Sequence, residues 1–262
     1  MFLEILSFII SFISSSAGAI TGIGGGVIIK PVLDATRTMP VPAISFLSGT
    51  TVLTMSAVAL LRSRKAKFSL DVRTSALLAA GGAAGGILGQ WIFDFLKSAL
   101  DDDDLLGAVQ SGLLLLLALG VLVYMVFRKH IKIYNVRNIF GCILAGAALG
   151  TVSAFLGIGG GPFNIVVLYW FFAMDAKTAA KNSLFIIFLS QLFGLFTTTV
   201  SGTVPDFEKS VLVFMIAGGV LGGITGMEIL KRISIKRTQT VFMSVLVVII
   251  GITTYNIYHF LN

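Results

Sequence analysis

Two five-residue motifs, Gly22–Gly26 and Gly157–Gly161, read GIGGG, and each lies inside an apolar stretch. Four glycines in five residues cannot hold a helix, because each costs about 1 kcal/mol against alanine in a helix interior. They do offer close backbone approach and several N–H groups. A helix that begins at such a motif has unpaired N–H donors and roughly half a positive charge at its first turn. That is the chemistry of an anion site. Gly24, Gly25 and Gly26, with Gly159, Gly160 and Gly161, are therefore the first candidates for ligand contact. Left-handed backbone at Gly25 or Gly160 would make a β-branched residue there strained. The motif lacks the Lys-Ser/Thr of a phosphate loop, and no βαβ unit surrounds it. A glycine kink used only for close packing is the plainer alternative.

Small polar residues flank both motifs. Asn164 falls in the first turn after the second motif, where Pro162 suits the first helical position. Ser48, Thr50 and Thr51 follow the first motif, and Lys181, Asn182 and Ser183 follow the second. Gln191 extends a polar or small stripe at helical spacing with Ser183, Ser190, Gly194 and Thr198. Hydroxyl and amide donors suit an oxyanion, although the same groups serve as interhelical hydrogen bonds in membranes. Lys181 supplies a fixed positive charge or else snorkels to the interface, and Lys30 has the same two readings. Gln90 reaches a cavity only if its helix turns that face inward. No Asp or Glu is expected deep in a full span, as Glu4, Asp94 and Glu228 fall near span ends. His130 and His259 have no metal-ligand partner, the single cysteine Cys142 excludes an intrachain disulfide, and no catalytic triad is visible. Neither a catalytic residue, a metal nor a cofactor is expected, and the chain does not read as an enzyme.

These residues must be positioned by membrane helices. Of 262 residues 56% are hydrophobic and 12% charged, against about 25% charge in a soluble domain. Full spans are expected at about 2–21, 43–62, 72–96, 105–127, 138–157, 183–202, 209–229 and 238–260, with short apolar pieces at 27–36 and 162–173. The net charge of +7 sits in short loops, which argues for membrane orientation and against nucleic acid. Arg62, Arg64, Lys65, Lys67 and Arg73 crowd one loop; Arg128, Lys129, Lys132 and Arg137 another; Lys231, Arg232, Lys236 and Arg237 a third. These loops should face the cytoplasm, whereas Asp101–Asp104 and the loop with Asp206 and Glu208 should face outward. The start of the chain carries Glu4 and no basic residue, unlike a cleaved signal peptide.

The chain also repeats itself. Gly81, Gly82, Gly85, Gly86 and Gly89 return as Gly218, Gly219, Gly222, Gly223 and Gly226, a shift of 137; the GIGGG motifs shift by 135. A shift of 134 sets Ser48, Gly49 and Ser56 against Asn182, Ser183 and Ser190, and Leu47 against Lys181. Loop charges make the two halves inverted, which needs an odd number of crossings in each. The expected fold is one all-α membrane domain with two inverted repeats, about 1–128 and 136–262. Each holds a GIGGG-tipped hairpin plus three transmembrane helices, and both chain ends lie outside. Duplicated broken helices of this kind mark the binding site of a secondary transporter. In the alternative, 27–36 and 162–173 are surface helices that follow complete crossings.

GIGGGVIIKPVL and GIGGGPFNIVVLYWF, each followed by an Ala-rich segment ending in a small polar group (AISFLSGTT and AAKNSLF), resemble the TauE/SafE family of sulfite and organosulfur anion exporters. The likeness covers both halves. It implies a cytoplasmic-membrane protein that moves small anions such as sulfite, sulfoacetate or related carboxylates. By position, the family's motif glycines fall on Gly22, Gly24, Gly25 and Gly26 and on Gly157, Gly159, Gly160 and Gly161. The family's polar pair falls on Asn182 and Ser183, while in the first half Ser48, Gly49 and Thr50 replace the usual Thr-Ser. The partners expected are a small anion, the lipid bilayer, a coupling ion (H+ or Na+) and, in one arrangement, a second copy as a homodimer. An anion channel and a non-transporting membrane subunit stand as the rival functions.

Overall fold

The computed structural model describes residues 2–100, 102–128, 133–134, 136 and 138–261. The expectations on Asp101, Lys129, His130, Lys132 and Arg137, and on the side chains of Lys65 and Asp103, fall outside what is described. The helices follow in order: α1 (Phe2–Thr21), α2 (Gly26–Thr36), α3 (Val41–Arg62), α4 (Val72–Leu100), α5 (Asp103–Phe127), α6 (Ile139–Leu156), α7 (Pro162–Trp170), α8 (Ala176–Val200), α9 (Lys209–Arg232) and α10 (Ile235–Leu261). Among the described residues, eight helices are long and apolar enough to cross a membrane. The other two, α2 and α7, are 11 and 9 residues long, roughly 16 and 14 Å at 1.5 Å per residue. This is an all-helical membrane protein.

Local sequence explains the helix ends. Asp175 caps α8 by accepting from the N–H groups of Lys177 and Thr178, so α8 begins at Ala176 rather than at 183. Asn182 and Ser183 consequently lie in its second turn. Asp102 caps α5 and Asn138 caps α6 in the same way. Proline opens α3 and α7, where its missing N–H costs nothing. The short helix α7 stops at Trp170, and Ala173 (φ 54°) turns the chain toward α8, as Arg37 (φ 47°) does after α2.

At each motif the left-handed residues are the glycines at the first and third motif positions, Gly22 and Gly24 (φ 76° and 87°) and Gly157 and Gly159 (φ 64° and 69°). They are not Gly25 and Gly160. Gly25 has an ordinary helical φ of −64° and caps α2.

Backbone-to-backbone packing of glycines fixes the helix directions. A Cβ on Gly81, Gly85 or Gly89 of α4 would lie about 2 Å from the carbonyl oxygen of Ile143, Ala147 or Thr151 of α6. Gly218, Gly222 and Gly226 of α9 meet Phe8, Phe12 and Ser16 of α1 in the same manner. Both series ascend together, so α4 is parallel to α6 and α9 to α1. Gly219 and Gly223 pair with Thr51 and Met55, which makes α3 parallel to α9. Ser75 bonds Asn182 and Gly82 meets Ser190, which makes α8 parallel to α4. Lys181 reaches Ser63 while Gln191 meets Gly49, so α3 and α8 are antiparallel.

One side of the bundle, the near side, is where α1 begins. Since α3 runs parallel to α1, the chain must return to the near side between them, and α2 is the return arm. The same reasoning makes α6 and α7 a hairpin that enters from the far side. The basic segments around Arg62–Arg73, Arg128 and Lys231–Arg237 share the far side. Asp102, Asp104, Asp206 and Glu208 share the near side with Phe2 and Leu261. Large apolar residues such as Ile9, Trp91, Leu116, Phe140, Phe196 and Val213 are exposed on the outer faces, as lipid contact requires.

Candidate functional site

The two GIGGG tips meet in the interior. A Cβ on Gly26 would lie 2.2 Å from the Ile158 carbonyl oxygen, and one on Gly160 would lie 3.2 Å from the Ile23 carbonyl oxygen. Ile23 and Ile158 are the isoleucines of the two motifs. Gly24 faces Ile187 of α8 and Val52 of α3 at 3.2 and 3.8 Å from its Cβ position. Val52 is the twelfth of 22 residues in α3, and Ile187 the twelfth of 25 in α8. The tips therefore sit halfway along the helices that flank them.

Neither short helix has a side-chain cap. Among the described residues no acceptor takes the N–H of Gly24, Gly25, Gly26 or Val27, or of Gly159, Gly160, Gly161 or Phe163. All eight residues are buried. Free N–H groups are normal at a helix start, but water ordinarily serves them. In a buried position each costs about as much as a lost hydrogen bond. The two starts enter from opposite sides and point at one another.

Unpaired side-chain atoms collect at the same place. Ser48 is 0% exposed, its Oγ has no partner, and it lies 3.0 Å from the Cβ position of Gly26. Asn164, 3% exposed in the first turn of α7, has an unpaired Oδ1. The Oγ of Ser45 is also unpaired, against Gly157. The Gln191 carboxamide lies between Gly159 and Gly49: its Nε2 is 2.0 Å from the one Cβ position and its Oε1 2.8 Å from the other. Only glycine at both places leaves room for it.

Other expected ligands are already engaged. Asn182 donates to the Ser69 and Thr178 carbonyls and accepts from the Asp71 N–H and the Ser75 hydroxyl, so all four of its hydrogen bonds are used, two on the α3–α4 loop, one on α4 and one within α8. Ser183 donates to the Gly22 carbonyl at 2.6 Å and so fastens the first tip to α8. Lys181 turns to the far side, donating to the Ser63 and Phe68 carbonyls over the Phe68 ring. Thr50 and Thr51 donate to Phe46 and Leu47 within α3. Gln90 is exposed and bonds Asp94, away from the tips.

The structure also sets the register between the halves. Gly22 packs on Ala180, and Gly157 packs on Ser45. Gly22 and Gly157 differ by 135 positions, and so do Ser45 and Ala180. The shift of 134 is thus one short: Ser48 corresponds to Ser183, and Leu47 to Asn182. With that register Ser183 grips Gly22 while its counterpart Ser48 does not grip Gly157.

Two features escaped the sequence reading. Lys30 and Asp34 form a 2.8 Å ion pair, their side chains 3% and 4% exposed, on a helix too short to be counted as a span. Ser7, Ser11 and Ser15 make a buried stripe on α1, at the spacing four apart that should have marked a packed face. Ser11 and Ser15 lie on the glycines of α9.

Among the described residues, cavities also lie away from the tips. A near-side cavity of about 380 Å³ is lined by Asp34, Arg37, Pro40, Ile44, Asp104 and Phe260. A far-side cavity of about 540 Å³ is lined by Asp71, Arg73, Thr74, Cys142, Asp175 and Thr178. Each lies at the open end of one hairpin.

A family model described as "Sulfite exporter TauE/SafE" matches residues 7–253. The chain belongs to this family of membrane transporters. It is 21% identical to "Probable membrane transporter protein YunE" of Bacillus subtilis (strain 168), over 93% of this chain and 94% of that protein. No solved structure matches it.

Proposed function

We propose that the protein is a secondary carrier for a small oxyanion, such as sulfite, a sulfonate like sulfoacetate or a related carboxylate, which it moves by alternating access. The reading rests on one observation above others: two buried helix starts with unpaired N–H groups face one another at mid-depth. An oxyanion held there would accept from Gly25, Gly26, Gly160 and Gly161, with Ser48, Asn164 and Gln191 completing its shell. The antiparallel hairpins and the shared register support an organisation in two inverted repeats. The cavities at opposite ends suit two mouths, each sealed from the other by the tips. The basic far-side loops would face the cytoplasm of a cell membrane and put both ends of the chain outside. Export is the direction in the family's description.

Purified protein tests this. Sulfite or sulfoacetate should raise the melting temperature, because a ligand that binds only the native state stabilises it by RT ln(1 + [L]/Kd). Proteoliposomes should show saturable counterflow. Gly160→Val should lose both, since its side chain would enter the space of Ile187 and the Ile23 carbonyl. Flux that neither saturates nor shows counterflow would make the protein a channel. A melting shift of wild-type size in Gly160→Val would remove the tips from the anion site.

A further inference from the structure

The Lys30–Asp34 pair has no packing reason to exist. Its counterparts in α7, at the 135-residue register, are Ile165 and Tyr169, which are 0% and 7% exposed. The same kind of half-helix is thus built without charge in the other half. A charge pair inside a membrane protein is costly and as a rule functional.

Its position joins two places. Asp34 lines the near-side cavity, and its Oδ1 has no partner although Oδ2 is bonded to Lys30. Lys30 lies one turn beyond the tip, with its Cε 3.3 Å from the Cβ position of Gly157, where the second motif begins. The ammonium is therefore between a carboxylate that borders the cavity and the tips. Other ionisable groups at this end are few. Arg37 is held by Asp104 at 3.6 Å, stacks on Phe260 and donates to the His259 carbonyl. The helices packed on α2 add Glu4 of α1 and His259 of α10, and α9, which shares an apolar cluster with α2, begins at Lys209 after its cap Glu208; α3 brings no charge before Arg62.

We propose that Lys30 and Asp34 form a proton-binding site that controls the anion site, Asp34 taking the proton and Lys30 meeting the anion. The inference rests on the carrier reading above. A carboxylate at Asp34 holds the Lys30 ammonium and keeps it from the tips. One proton from the near-side cavity turns Asp34 into the neutral acid. Lys30 keeps its own proton and is freed to turn toward the tips, where it adds a full positive charge to the backbone donors. Loss of the anion lets Asp34 give up its proton and reclaim Lys30. Anion and proton are then bound together and cross together, so an inward proton gradient favours uptake, and export requires an outward anion gradient that exceeds it.

The probe is sulfoacetate, which has no group that titrates between about pH 6 and pH 8. In proteoliposomes the wild type should need less sulfoacetate for half-maximal counterflow as pH falls, by up to about tenfold per pH unit for one linked proton. Sulfoacetate entry should also carry protons, read by a pH-sensitive dye trapped inside. Asp34→Asn should bind sulfoacetate with one affinity at every pH and exchange it without moving protons. The double variant Lys30→Gln/Asp34→Asn leaves no buried charge and guards against misfolding. It should also be independent of pH, with affinity lowered throughout. A wild type without pH dependence, or either variant retaining it, would overturn the proposal. A wild type that exchanges no anion at all overturns the carrier reading, and this inference with it.

Discussion

The hairpins α1–α2 and α6–α7 share their left-handed glycines and differ in their chemistry. Left-handed glycines occupy the first and third motif positions in both. Gly22 packs on Ala180 and Gly157 on Ser45, at one shared register. Yet the first tip is fastened by the Ser183 hydroxyl, whereas Ser48 leaves the second unfastened. The first half-helix carries a buried ion pair, and the second carries Ile165 and Tyr169 in its place. The left-handed turns are thus common property, set by glycine, although Gly25 caps α2 in a helical conformation (φ −64°) and Gly161 caps α7 in an extended one (φ −167°). What distinguishes the hairpins is written in a few side chains. The Ser183 bond formed without its counterpart is what one of two alternating states would show.

The largest test of the shared geometry is Gly26. A Cβ there meets the Ile158 carbonyl oxygen at 2.2 Å, and backbone on both sides leaves little to yield. Gly26→Val should abolish transport and cost at least ~3 kcal/mol of stability. Its counterpart Gly161 meets the ring of Phe163, also at 2.2 Å, which can rotate away. Gly161→Ala should therefore be milder than Gly26→Ala in thermal unfolding. Equal losses would mean that the tips are held equally tightly and that the asymmetry is confined to polar groups.

The serines come next. Ser183→Ala leaves the buried Gly22 carbonyl without its donor, which should cost ~1–3 kcal/mol. Ser48→Ala removes a buried hydroxyl that has no partner, so stability should change by less than ~0.5 kcal/mol while anion affinity falls. A melting scan with and without sulfite separates the two effects. The same stability loss in both mutants would mean that Ser48 is bonded as Ser183 is, and the comparison would fail.

Sequence revealed the helices and the tips because their signals are local. Apolar length marks a span, and four glycines in five residues mark a break wherever they occur. The sequence could not tell which polar residue faces a ligand. Asn182, Ser183 and Thr51 are polar, buried and near the tips, yet each is bonded within the protein. Ser48 is of the same type in the same kind of place and is left unpaired. That difference depends on whether a partner atom lies within about 3 Å, which helical spacing cannot give. Asp34 was hidden differently: its helix is short, and its charge is matched by Lys30 one turn away, as in any solvated i,i+4 pair. Only burial sets the pair apart from a surface one.

The smallest effect tests whether the glycine runs are as alike as their sequences. Gly86 and Gly223 correspond at the 137-residue shift, each the last glycine of a GGxxGG run. A Cβ on Gly223 would come within 2.7 Å of the Met55 carbonyl oxygen, because α9 has α1 on one side and α3 on the other. A Cβ on Gly86 would meet nothing within 4 Å, since α4 turns that side outward. Sequence repetition here has outlasted the contact that requires it. Glycine inside a helix is about 1 kcal/mol worse than alanine, so Gly86→Ala should leave transport intact and stabilise the protein by up to that amount. Gly223→Ala should lower stability by ~1–3 kcal/mol, as overpacking does. Thermal unfolding of both single mutants in one detergent decides the matter. A loss at Gly86 as large as that at Gly223 would show that α4 is covered on its outward side in the folded protein, for which an intermolecular contact would be the natural cause.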